Sequence, residues 1–243
     1  MYIHKAIFNA AYKQAGSLRV TDIRIGLGYT AVELDHKLLG LSYSFIKEIT
    51  PASCNVLVEA GCLIGKKASE LLKGIFSYNL TEASLAIATA NAILNKQTDN
   101  TDILDLIEKN DKVVMIGYFG PLIPLIKQNT DNLTICERDT KKDVMPDYAA
   151  YFELPDADVA LISATTLINK TIDGLLNRIK KAKIVAIIGP SCTMEKSVFK
   201  DTPVTHLCGI TVSHIEKAKI IVSEGGGTVS LKQATRKECL CLS

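Results

Sequence analysis

The spacing of apolar positions changes period several times along the chain. Ile3, Ile7 and Ala10 or Ala11 recur at helical spacing, which predicts an amphipathic helix over the first dozen or so residues, ending near Gly16. From Val20 onward Ile23, Ile25, Leu27 and Tyr29 alternate with Arg24, Gly26 and Gly28, a strand period. After a polar Asp35-His36-Lys37 turn, Leu39, Leu41, Tyr43 and Phe45 alternate again, so the two runs predict an antiparallel hairpin with an aromatic-rich inner face. Gly26 and Gly28 on the other face bare the backbone, a mark of close approach by something else. Beyond a loop at Pro51, Gly61 to Gly65 lead into a helix carrying Ala68, Leu71, Leu72 and Ile75. Thr81 is the expected cap of the next helix, whose Leu85, Ala88 and Ala92 form a seam of small residues suited to close packing.

The polar stretch Gln97 to Thr101 reads as a linker and predicts two domains, 1–97 and 98–243. Thr101 is expected to cap a helix through Lys109. After it, strand and helix patterns alternate. Val113 to Ile116 is a wholly apolar run ending in Gly117-Tyr118-Phe119-Gly120, the signature of a strand buried on both faces and closed by a tight turn. Pro121 then suits a helix start over Leu122 to Ile126. Further strands are predicted at Leu133–Glu137, Asp158–Ser163, Ile184–Ile188 and Val204–Ile210. Helices are predicted at Thr171–Lys181 and, behind a capping box of Ser213 and Glu216, through Val222. The fold class that follows is an α+β domain followed by an α/β domain, the latter with a mostly parallel sheet and right-handed crossovers.

Composition narrows the function classes. A net charge of +2 over 243 residues leaves no electrostatic footprint for nucleic acid. No apolar run approaches the roughly 18 residues of a membrane span, and the first residues hold no signal core, so a cytoplasmic protein without a membrane partner is expected. The seven cysteines are odd in number and lack a framework spacing, which predicts seven free thiols. Cys239-Leu240-Cys241 lies where chains fray. His206, Cys208 and His214 are the densest group of soft ligands, but their spacing matches no zinc pattern, and His206 and Cys208 share a strand face expected to point into packing.

In sheets of this kind ligands bind beyond the carboxyl ends of the strands. Those ends carry Gly117, Tyr118, Phe119 and Gly120; Glu137 and Arg138; Thr165, Thr166 and Asn169; and Gly189, Pro190 and Ser191. A strand, glycine turn and helix start attract anions and open a Rossmann-like unit. Glu137 follows Gly117 by about twenty residues, where such units place a carboxylate on ribose hydroxyls. Only two of the fingerprint glycines are present, and pairing of Glu137 with Arg138 or Lys141 is the competing reading. The run Glu224-Gly225-Gly226-Gly227-Thr228 exceeds the one glycine a helix end needs. It is read as a backbone surface for a ligand or a second subunit, or as a flexible connector. Gly61 to Lys67 is not a P-loop, because its glycines are too close and no Ser or Thr follows the lysine.

The segments Gly26-Leu-Gly-Tyr-Thr-Ala-Val32, Gly65-Lys66, Val114-Met-Ile-Gly-Tyr-Phe-Gly-Pro121, Ala164-Thr-Thr-Leu-Ile-Asn169, Ile188-Gly-Pro-Ser191 and Val222-Ser-Glu-Gly-Gly-Gly-Thr228 resemble those of a prokaryotic family named for heavy-metal chelation. The resemblance runs to about Leu231. It implies an enolase N-terminal-like domain up to roughly residue 95, a Rossmann-like second domain, and a site in the cleft between them. On that reading the cleft binds a small anionic ligand, a heavy-metal chelate or its precursor, between the turns Gly26 to Thr30, with Tyr29 and Thr30, and Gly117 to Gly120. The alternative is an enzyme of small-molecule metabolism using a nucleotide or S-adenosylmethionine through Glu137. A third reading is a homo-oligomer built on the glycine run. Catalytic residues, metal ligands and cofactors stay unassigned.

Overall fold

The computed structural model describes residues 2–48, 56–96, 101–139 and 143–242. The first helix, α1 (Tyr2–Ala15), buries Ile3, Ile7, Ala11 and Ala15 along one stripe. It stops at Gly16, whose φ of +49° side-chain-bearing residues rarely adopt. Strands β1 (Val20–Ile25), β2 (Tyr29–Leu34) and β3 (Leu38–Tyr43) follow as a three-stranded antiparallel sheet. This corrects the expected hairpin. The alternation from Ile23 to Tyr29 is not one strand, because the Gly26 N–H donates to the Tyr29 carbonyl at 2.9 Å and folds the chain back, pairing Ile25 with Thr30. A period of two continues unbroken across so short a turn, so alternation alone does not reveal it. The aromatic face does form: Tyr29 and Tyr43 meet edge-on at 6.1 Å, and Tyr43 meets Phe45 at 5.1 Å.

Two helices close this layer, α2 (Ala68–Leu71) and α3 (Leu80–Leu94). Asn79, not Thr81, caps α3, its side-chain oxygen accepting from the N–H groups of Thr81 at 2.9 Å and Glu82 at 3.3 Å. The small-residue seam lets α3 lie directly on β3, where a Cβ on Gly40 would fall 2.0 Å from the Ala88 carbonyl oxygen. The helix is buried from Ala83 to Leu94 as a result.

The second layer runs β4 (Val113–Ile116), α4 (Ile123–Asn129), β5 (Leu133–Glu137), β6 (Met145–Pro146), α5 (Ala150–Glu153), β7 (Val159–Ser163) and α6 (Ile172–Leu176). It continues with β8 (Ile184–Ile188), α7 (Lys196–Phe199), β9 (His206–Val212), α8 (Ile215–Ser223), α9 (Thr228–Leu231) and β10 (Thr235–Cys241). The seven strands lie in the order β10-β9-β8-β7-β4-β5-β6, with only β10 antiparallel to its neighbour. From β5 to β9 this is a doubly wound order, with the chain reversing direction across the sheet on either side of β4. Alternate residues feed opposite cores: Val113, Met115, Val159 and Leu161 on one face, Val114, Ile116, Ala160 and Ile162 on the other. The continuous apolar runs of the sequence are the consequence.

Several local expectations are corrected. Asp102 rather than Thr101 caps the next turn, which is a 3₁₀ helix over Ile103–Leu106. The helix expected at Pro121 starts at Ile123, with Pro124 in its first turn, and the one expected at Thr171–Lys181 shortens to α6. No capping box precedes α8; Glu216 pairs with Lys219 at 2.8 Å instead. The expected frayed tail is β10, and Cys208 and Cys239, opposite each other in the register, are joined by a disulfide. Seven free thiols are therefore not found. Charges at Arg236, Lys237 and Glu238 mask a strand whose ladder with β9 supplies what its side chains do not. Pro51, Cys54, Gln97 to Asn100 and Lys141 lie outside the described residues. Among the described residues no helix is long and apolar enough to cross a membrane.

Candidate functional site

The bare backbone of the hairpin turn meets the glycine run of the same chain. A Cβ on Gly26 would fall 2.0 Å from the Val222 carbonyl oxygen, and one on Gly28 would fall 3.2 Å from that of Gly226. One on Gly226 would strike the Ile221 side chain at 2.5 Å, while Gly225 faces Leu27. The Tyr29 hydroxyl hydrogen-bonds Thr228 Oγ1 at 2.7 Å, and Thr30 Oγ1 hydrogen-bonds Ser44 Oγ at 2.8 Å. Glu224 closes the end of α8, its N–H donating to the Ile220 carbonyl. Beside this seam the Lys219 ammonium reaches Glu33 at 2.7 Å, Glu216 at 2.8 Å and Asp22 at 3.4 Å. Burial alone lowers Lys219, but the hydrogen bonds of Glu216 and Glu33 outweigh it and hold the ammonium above its ordinary range. The glycines of both runs thus serve a joint between β1–β2 and α8. Gly227 alone among them has open space where a Cβ would stand.

A second set of residues assembles along the carboxyl edge of the parallel sheet. The Tyr43 N–H donates to Ser191 Oγ at 2.8 Å, beyond the end of β8. Three strands away, beyond β5, Lys47 pairs with Asp139 at 2.7 Å and Arg138 with Glu48 at 3.2 Å. The segment from Tyr43 to Glu48 therefore crosses β7 and β4, a span of about 14 Å that this many residues can bridge. Burial first, then the charge of Glu48, raises the Tyr43 phenol above its ordinary value.

The two strand ends so crossed are the switch point of the sheet. Gly117 sits there at φ +95°, so close to β7 that a Cβ would stand 2.9 Å from Ser163 Cβ. Its N–H donates to the Cys136 carbonyl at 2.8 Å. Ser163 Oγ and Thr165 Oγ1 share a hydrogen bond of 2.8 Å, and Thr166 Oγ1 donates to the Ser163 carbonyl at 2.6 Å. Tyr118 is exposed, Phe119 accepts from the Leu122 N–H, and Gly120 lies against the Tyr118 ring.

Other expected residues have local duties. Glu137 Oε1 accepts from the backbone N–H groups of Arg138 at 2.6 Å and Asp139 at 3.4 Å. Asn169 Oδ1 accepts from both Thr171 N and Thr171 Oγ1. Gly189, at φ +126°, donates its N–H to the Cys208 carbonyl at 2.9 Å. Pro190 borders a void of about 20 Å³ together with Leu39, Asn91, Asn95 and Thr211, room for about one water. A broader concavity of about 550 Å³ lies between α7 and the start of β9, lined by Glu195, Lys196, Phe199, Lys200, Val204 and Leu242. It includes none of the expected ligand-binding residues.

Tyr43, Lys47, Glu48 and Ser163 were not legible as site residues, since no local motif marks them. Two bases, His4 buried and Lys170 half-buried, were missed for the same reason. His4 Nε2–H donates to the Leu167 carbonyl at 2.7 Å, and Lys170, at φ +69°, donates to the Ile75 carbonyl at 2.6 Å. Burial pushes the Lys170 ammonium down to about 8. Among the described residues no group of three or more His, Cys, Asp or Glu side chains stands ready to hold a metal ion. His206 shares its Nδ1 with Thr205 Oγ1, and Cys208 is in the disulfide.

Residues 8–94 and 99–241 match two family profiles, both described as "Putative heavy-metal chelation". The chain belongs to this heavy-metal chelation family. Similar proteins share the whole length. An uncharacterised protein of Methanocaldococcus jannaschii is 24% identical, covering 97% of this chain and 95% of its own. A crystal structure of a family member of unknown function from Pyrococcus horikoshii superposes with a TM-score of 0.86 at 25% identity, covering 99% of this chain and 100% of that one. A second, from Desulfitobacterium hafniense, has a TM-score of 0.84 at 20% identity with 98% of both chains covered, and shares the fold. In this heavy-metal chelation family member, the switch-point edge carries the Ser163, Thr165 and Thr166 hydroxyls, Gly117 at positive φ and, at its rim, the paired charges of Lys47, Asp139, Arg138 and Glu48.

Proposed function

We propose that the protein binds a small anionic ligand, of the class of a heavy-metal chelate or its precursor, between the Tyr43–Glu48 segment and the switch-point turns at Gly117 to Gly120 and Ser163 to Thr166. In this reading the chain divides near residue 97, and the ligand lies between its two parts. The observation that carries it is the crossing itself: a segment tied to Ser191 at one end and to Arg138 and Asp139 at the other spans the switch point of a doubly wound sheet. Ligands in such sheets bind at that point. The neighbourhood supplies a neutral donor from the Ser163–Thr165 hydroxyl pair, which keeps one O–H beyond the bond between them, and cations from Arg138 and Lys47 at the rim. The family description supports the class of ligand.

The test is a thermal-shift panel followed by calorimetric titration, using citrate, its zinc, cobalt and nickel complexes, inorganic phosphate, ATP and S-adenosylmethionine. A chelate is expected to stabilise the protein. Thr165→Val and Arg138→Gln are each expected to weaken its binding by roughly ten- to a hundredfold, the loss of one hydrogen bond to a charged group. Equal binding by the wild type and both variants overturns the reading. Glu137→Gln separates it from a nucleotide enzyme: that alternative requires a similar loss of ATP or S-adenosylmethionine affinity, whereas chelate binding leaves the variant unchanged or tighter.

A further inference from the structure

The register of β9 against β10 brings together soft ligands that are scattered in the sequence. Cys208 stands opposite Cys239, and His206 stands opposite Cys241. Residues two apart on a strand share a face. One imidazole and three sulfurs therefore occupy a two-by-two block on a single face of the sheet. Packing agrees: Cys239 and Cys208 belong to the core face of Val113 and Met115, as do Ala186 and Ile188, the β8 partners of His206 and Cys208. Leu207 and Leu240, between them in sequence, go to the opposite face.

The block has the properties of a thiophilic cation site. The Cα atoms of Cys208 and Cys239 are 4.0 Å apart. Neighbours along each strand are about 6.6 Å apart, so the four side chains rise from a small rectangle whose centre all can reach. Tetrahedral zinc needs sulfur at about 2.3 Å and imidazole nitrogen at about 2.0 Å. His206 Nδ1 is held 2.8 Å from Thr205 Oγ1, itself 2.9 Å from the Val185 nitrogen, which fixes the ring and leaves Nε2 as the ligand atom. His206 and Cys239 are buried, while Cys208 and Cys241 are half-buried on and beside the edge strand, where an ion can enter.

We propose that His206, Cys208, Cys239 and Cys241 form a redox-gated site for a divalent thiophilic cation such as zinc or cadmium, open when the Cys208–Cys239 disulfide is reduced. This goes beyond the switch-point reading and does not depend on it. A dithiol supplies the two electrons: the Sγ–Sγ bond breaks, each sulfur takes up a proton, and the dithiol closes to its own disulfide. The cation then displaces three thiol protons and binds three thiolates and the imidazole. Reoxidation removes two of the four ligands and expels it.

The experiment uses the full chain, reduced with dithiothreitol and freed of it anaerobically, titrated with cadmium and read by the sulfur-to-cadmium charge-transfer band and by bound metal per chain. About one ion per chain is expected in the reduced protein and none at that site after oxidation with diamide. Cys241→Ser and His206→Gln are expected to weaken binding by at least the ~10–100-fold that even an outer partner is worth. Cys62→Ser, at an exposed thiol outside the block, is expected to bind as the wild type does. Cys241→Ser keeps the disulfide, so its fold is verified by circular dichroism in the oxidised state. The proposal is overturned if the reduced protein gives no band, if Cys241→Ser binds cadmium as tightly as the wild type, or if oxidation leaves binding intact.

Discussion

Lys170 shows how one residue carries the tension between burial and charge. Its backbone is left-handed, its ammonium is drawn inward, and its one described acceptor is the Ile75 carbonyl. Desolvation lowers it from 10.5 to about 8, so between those values the unfolded chain binds more protons than the folded one. Stability must then rise with pH across that window. Denaturant midpoints measured from pH 8 to pH 10.5 are expected to rise in the wild type relative to Lys170→Met, which lacks the titrating group. Parallel profiles would show that the lysine stays hydrated. His4 acts in the same sense at lower pH, since burial lowers it despite Asp173 3.5 Å away, and stability should fall as pH drops below about 6.5.

At the scale of elements, glycines decide how closely the layers approach. The α8–hairpin joint is built on contacts that no Cβ permits, at Gly26 against Val222 and at Gly226 against Ile221. Gly26→Ala is expected to cost about 1–3 kcal/mol or more, as overpacking does, because the obstacle is backbone and cannot swing aside. Gly227→Ala meets nothing within 4 Å and is expected to change the melting temperature little. If the run were also an oligomer interface, Gly227→Ala would shift the sedimentation profile, while Gly26→Ala would stay destabilised by the Val222 carbonyl. The same reasoning explains α3, whose seam meets Gly40 so closely that its apolar residues need cover on every side.

The whole molecule is bound across its two layers by side-chain amides, Asn91 buried and Asn95 half-buried. Asn95 gives its Nδ2–H to the Cys192 carbonyl at 2.8 Å and accepts the Met194 N–H at 2.8 Å. Asn91 does likewise, from Leu41 to Thr193. With these links satisfied, calorimetry is expected to show one cooperative transition. Asn95→Ala leaves a carbonyl and an N–H unpaired and should lower stability by about 2–4 kcal/mol without splitting the transition. Two separated peaks in the wild type would mean that the layers fold independently.

Period and apolar runs alone determined most of the architecture. The run Val113–Ile116 has to be a strand covered on both faces, and Leu133–Glu137 and Ile184–Ile188 were legible to the residue, because burying a short continuous apolar run leaves few alternatives. Caps were displaced by a residue or two, since Asn79 competes with Thr81 and Asp102 with Thr101 for the same orphan N–H groups. What local pattern cannot encode is which distant segments meet. Gly26 and the Gly225–Gly227 run each announced a close approach, but only the fold decided that they approach each other. Cys208 and Cys239 looked like a packed strand thiol beside His206 and a frayed end until the register of an edge strand set them face to face. Glu137 stood at the right spacing for a ribose, and the turn that follows β5 engaged one of its oxygens. The crossing of Tyr43 to Glu48 over the switch point is a product of strand order, and strand order is fixed by the packing of whole layers rather than by any one segment's residues.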